Sequence, residues 1–136
     1  MIYYLKLLIV LVTTLNGQIY INELMSSNSS TITDGLGNSS DWIELYNTGD
    51  YELDLSGYAL SDKIDNPIKW IIPGGTVISA NGYITFWCSG RDENFFGNYH
   101  TNFTLKQTRN NPEYVVFSDA DGIIINAFTK NDQIIK

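Results

Sequence analysis

The chain has 136 residues and carries 15 acidic against 8 basic side chains, a net charge of −7, which is one domain's worth of sequence. No cluster of Lys or Arg is present, so the balance argues against nucleic acid or an anionic membrane surface as partner, both of which reward concentrated positive charge. Cys88 is the single cysteine, so no internal disulfide can form and the core must hold by packing.

Residues 1–17 read as a secretory signal peptide. Lys6 precedes the apolar run Leu7 to Leu15, and Asn16-Gly17-Gln18 turns polar, which is the order of such a leader. The run is well short of the roughly 20 residues that span a bilayer as a helix, so no transmembrane helix is expected in the mature chain. Removing those 17 residues from 136 leaves 119 and takes away Lys6, so 7 basic side chains face 15 acids at a net charge of −8. That length supports a self-sufficient core. Residues 18–130 are expected to form one folded domain, with 131–136 as a C-terminal tail.

From there on, short strand-like runs alternate with turn clusters, and no stretch has sustained helical periodicity. Ile19 to Met25 opens with strong strand formers and gives way to a polar loop over 26–40. Trp42 to Asn47 is the next strand, followed by Leu53-Asp54-Leu55 and Tyr58-Ala59-Leu60 around Ser56-Gly57. Lys69 to Ile72 ends at Pro73-Gly74-Gly75, a strong breaker. Thr76 to Ile78 and Tyr83 to Cys88 flank Asn81-Gly82. After an aromatic loop over 95–99, Tyr114 to Phe117 and Ile123 to Ile125 flank Asp119-Ala120-Asp121-Gly122, the clearest hairpin signal in the chain. The pattern is all-β, a sandwich or barrel of about eight or nine short strands. Of the 3 Trp, 9 Tyr and 6 Phe, only Tyr3 and Tyr4 fall in the leader, so aromatic packing is expected to dominate stability.

Several phrases in order resemble the lamin tail domain of bacterial secreted proteins. They are Ile21-Asn22-Glu23-Leu24-Met25-Ser26-Ser27-Asn28, Asp41-Trp42-Ile43-Glu44-Leu45-Tyr46-Asn47, Asp54-Leu55-Ser56-Gly57, Ala80-Asn81-Gly82-Tyr83 and His100-Thr101-Asn102-Phe103. The likeness runs from residue 19 to about 128. It implies an immunoglobulin-like β-sandwich, and in such secreted proteins an accessory module rather than a catalyst. One departure stands out: Arg109-Asn110-Asn111-Pro112-Glu113 occupies the place where the family carries a Gly-Glu pair.

No residue set reads as catalytic. Glu23 and Glu44 lie on strands and, with Asn22 and Asp41, are expected to form a structural polar network rather than a glycosidase pair. His100 is the only histidine, with no second His, Gly-x-Ser-x-Gly or Cys-x-x-Cys to make it part of a reaction centre. It is expected to orient the segment around it. Cys88, beside Phe86 and Trp87, reads as a buried small hydrophobe. No metal is expected. Asp119 and Asp121 are calcium candidates, to which Asp62 and Asp65 could add oxygens, and turn chemistry explains the Asp119–Gly122 stretch as well. A binding surface is expected at Phe95, Phe96, Tyr99 and His100, where aromatics stand among polar residues. The function expected is therefore an exported, non-enzymatic module, secreted or held at the cell surface, that binds an extracellular glycan or protein. The alternative is a structural accessory domain of a larger secreted or surface protein.

Overall fold

The computed structural model describes residues 19–106 and 113–129. The expected leader, the departure at 109–112 and the tail over 131–136 lie outside the described residues. Eleven strands and no helix occur among those described: β1 (Ile19–Met25), β2 (Asp41–Asn47), β3 (Leu53–Asp54), β4 (Ala59–Ser61), β5 (Trp70–Ile71), β6 (Val77–Ile78), β7 (Tyr83–Cys88), β8 (Glu93–Phe95), β9 (Asn98–His100), β10 (Tyr114–Ser118) and β11 (Ile124–Thr129). Nine of these correspond to runs legible in the sequence. The two additional ones, β8 and β9, form a hairpin inside what reads as a loop, and so the strand number exceeds the expectation.

One sheet has the order β1-β2-β7-β9-β8 and a second the order β11-β10-β4-β5, with β3 and β6 pairing separately. All pairings are antiparallel except β7 with β9. Thr76 to Ile78 and Tyr83 to Cys88, though they flank a turn, do not pair. β6 goes to β3, whereas β7 goes to β2.

The two large sheets share one interior. Ile43, Leu45 and Phe86 from the first meet Leu60, Trp70 and Phe117 from the second, all of them buried. The Trp70 and Phe86 rings meet edge to face at 5.9 Å, a geometry the ring quadrupoles favour. Two layers closed over one apolar core make a β-sandwich. The pleat explains which residues go inward: on β2 and β7 every second side chain, Ile43 with Phe86 and Leu45 with Ile84, faces the core. In β1 a bulge between Ile21 and Glu23 shifts the register by one. Ile21 and Leu24, three apart, can then both pack inward. Cys88 lies in the same core, and burial pushes its thiol far above the usual range, which leaves it protonated and unreactive.

Candidate functional site

The same pleat that sends Ile43 and Leu45 inward puts Trp42, Glu44 and Tyr46 on the outer face of the five-stranded sheet. Their register partners on β7 are Trp87, Thr85 and Tyr83, and Trp87 in turn pairs with His100 on β9. Directly opposed residues share a face, so three rows cross this face. One runs Met25, Trp42, Trp87, His100. The next carries Glu23, Glu44 and Thr85. The last carries Tyr20, Tyr46 and Tyr83.

The first row is covered although it faces outward. Trp42 and Trp87 are buried, and His100 has no exposed surface. The cover is the segment between β1 and β2, organised by two side chains. Asn28 takes the Thr31 N–H on its Oδ1 and donates to the carbonyls of Ile32 and Ser40, while its own N–H reaches Asp41 Oδ1 at 2.8 Å. Asp34 accepts the N–H groups of Leu36 and Asn38 on Oδ1. Its Oδ2 pairs with Arg91 at 2.6 Å, and Gly35 lies so close to Asn98 that a Cβ would come within 2.6 Å of its amide nitrogen. A segment that leaves β1 and touches β9 must cross β2 and β7, which is how it roofs the tryptophans. Trp42 Nε1 beneath it is buried and has no hydrogen-bond partner among the described residues.

His100 sits at the end of this row. Ser89 Oγ lies 2.9 Å from its Nδ1 and also accepts the Arg91 N–H. Arg91 Nη2 is 3.1 Å from both ring nitrogens. That equal distance puts it over the face of the imidazole rather than along a lone pair, and its true partner is Asp34. Phe95 stacks near-parallel on His100 at 5.5 Å. Burial first, then the Arg91 charge, lower the His100 pKa below its usual 6.5, which keeps the ring neutral. For Asp34, burial works upward, but the Asn38 and Leu36 N–H groups and Arg91 outweigh it and hold the carboxyl below 3.8.

The β8–β9 hairpin turns on Phe96 and Gly97, both at positive φ (49° and 77°), between the paired Phe95 and Asn98. A two-residue turn with both φ positive is the mirror-image type that suits a right-twisted hairpin and ordinarily takes Asn-Gly. Here a phenylalanine occupies the first place. Its side chain is fully exposed.

Of the four residues expected to bind, Phe96 is thus fully exposed, Phe95 is half-buried against His100, and His100 is buried. Tyr99 lies on the opposite face of β9 and packs on Phe86 at 5.5 Å. In the expected polar network, Asn22 donates to Glu44 at 2.8 Å. Asp41 holds Asn28 instead, and Glu23 is exposed opposite Glu44. The Asp119 carboxylate accepts the N–H groups of Asp121 and Ile123 within the β10–β11 turn, and Asp121 is exposed. Among the described residues no group of three or more His, Cys, Asp and Glu is placed to hold a metal ion, and no helix is long and apolar enough to cross a membrane.

Sequence reading did not single out Asp34, Arg91 or the row Tyr20, Tyr46, Tyr83. Tyr46 and Tyr83 stack at 4.4 Å, and Tyr20 meets Tyr46 edge-on at 5.7 Å. The available signal is the second period of β2 and β7, where Trp-x-Glu-x-Tyr and Tyr-x-Thr-x-Trp alternate with the core residues. Only the register joins them into rows.

No curated protein matches the chain. A protein-family model, the Lamin Tail Domain, matches residues 13–132, spanning every strand described above. The family is one of non-catalytic immunoglobulin-like domains, in keeping with two sheets over one core; the chain belongs to the Lamin Tail Domain family.

Proposed function

We infer that this domain is an exported, non-enzymatic binding module, secreted or displayed at the cell surface, and that the β8–β9 hairpin is the leading part of its contact surface. The observation that carries the reading is Phe96. A bulky side chain at positive φ costs about 1 kcal/mol relative to glycine or asparagine, and full exposure means that no packing in the domain offsets it. An exposed aromatic on a rigid turn is the kind of anchor that fills a partner's pocket or stacks on a sugar ring. Phe95, fixed against His100, and Arg91, fixed by Asp34, hold the base of that turn. Export is supported by the leader-like order of residues 1–17.

The test is thermal unfolding of residues 18–136 against a panel of soluble glycans and envelope polysaccharides, since a ligand that binds only the folded form raises the midpoint. At least one glycan is expected to do so, and Phe96→Ala is expected to remove most of that rise while leaving the unliganded midpoint undiminished. An unchanged rise in Phe96→Ala would discard the hairpin as the contact.

A further inference from the structure

The rows beside the hairpin carry an inference that rests on the binding reading and narrows its ligand. The β7–β9 register pairs Phe86 with Tyr99 and Trp87 with His100. Continued backward along both strands, it brings the Phe96–Gly97 turn alongside Tyr83 and Ile84. The exposed turn therefore stands at the same end of the sheet as Tyr20, Tyr46 and Tyr83, in line with the aromatic row. Tyr83 is 58 % exposed, and its ring is supported from one side by Tyr46.

Behind this row Glu23 and Glu44 stand directly opposite each other on the outer face. Like charges in that position repel. Neither carboxylate has an ion-pair partner among the described residues: Lys69 pairs with Asp62, and Arg91 with Asp34 and Glu93. Glu44 is positioned by the Asn22 amide, and Thr85 adds a hydroxyl beside it. Two carboxylates without an ion-pair partner among the described residues, next to the exposed ring of Tyr83, form a surface complementary to an organic ammonium. The cation meets the carboxylates and the ring quadrupoles together, while its carbon frame lies on the rings.

We propose that this face binds a glycan bearing free amines, an unacetylated amino-sugar chain with a pyranose ring on the face of Tyr83 that Tyr46 leaves open and ammonium groups that meet Glu44 and Glu23. The spacing suits a chain rather than one sugar. Neighbouring strands lie about 4.8 Å apart, so the row from Tyr20 to the hairpin turn extends over several strand widths.

The test is binding of the folded domain to a chitosan oligomer at mildly acidic pH, with the fully acetylated chitin oligomer and oligolysine as comparisons. The chitosan oligomer is expected to bind about tenfold more tightly than the acetylated one, and Glu44→Gln and Tyr83→Ala are each expected to weaken it by about tenfold. Glu44→Gln keeps the acceptor for Asn22, so its unfolding temperature serves as the folding control. Equal binding of the two sugars, sensitive to Phe96→Ala, would overturn the amine site and leave the hairpin reading standing. Binding of neither oligomer would overturn the proposal as well. Oligolysine binding as tightly, lost in Glu44→Gln but not in Tyr83→Ala, would replace the glycan with a basic protein segment.

Discussion

Asp34 joins the segment between β1 and β2 to the far side of the sheet. It closes its own turn through Leu36 and Asn38 and holds Arg91 against the imidazole of His100. Both titratable groups of this cluster are tuned the same way with respect to acid. The folded-state pKa of His100 lies below 6.5, so on acidification the unfolded chain takes up that proton before the folded one does. Stability is then full above 6.5 and falls as pH drops toward the folded pKa. Asp34, also depressed, contributes stability above 3.8 that is lost only below it. The groups facing His100 are Arg91, Asp34 and Glu93. Urea unfolding is expected to give a lower midpoint at about pH 5.5 than at pH 7.5, and His100→Gln, less stable at both, is expected to narrow that gap. A wild-type midpoint that rises on acidification would contradict the assignment of a neutral, shielded imidazole.

At the level of elements, the segment between β1 and β2 is a roof over Trp42 and Trp87 rather than a free polar loop. Asn28 ties its first half to β2 and Asp34 ties its second half to the far strands. Asn28→Ala removes the anchors to Ile32 and Ser40 and is expected to cost about 2 kcal/mol. It should also expose the tryptophans beneath, read as red-shifted emission and stronger acrylamide quenching. Unaltered quenching would mean that something other than this segment shields them. The polar composition over 26–40 reads as loop, because a lid that hydrogen-bonds to itself uses the same residues as a loop that faces water. The β8–β9 hairpin was hidden for a different reason. Sequence patterns look for Asn or Gly at the first turn position, and Phe96 breaks that rule. The long strands were legible from their alternation, from Trp42 to Asn47 and Tyr83 to Cys88, and the β10–β11 hairpin from Asp121-Gly122.

For the whole molecule, what could be read in advance was what one strand carries in its own alternation. What could not was which strands lie side by side. Tyr20, Tyr46 and Tyr83 are far apart in the chain and become one row only through the β1-β2-β7 order. Likewise Ser89, Arg91, His100 and Asp34 come together because β9 folds back in parallel beside β7. The resulting domain has a core closed by packing, one outer face partly roofed, and an aromatic, acidic end left open beside the hairpin. On the proposed reading, stability and recognition draw on different residues, and at Phe96 they are opposed.

Phe96→Asn tests that opposition most directly, by thermal unfolding with and without whichever glycan of the panel raises the midpoint of the unsubstituted domain. Asparagine tolerates the left-handed conformation, so the unliganded domain should melt several degrees higher, about 3–6 °C for a gain near 1 kcal/mol, while the ligand-induced rise shrinks. A lower melting temperature together with an intact ligand response would show that Phe96 serves the fold and not the partner.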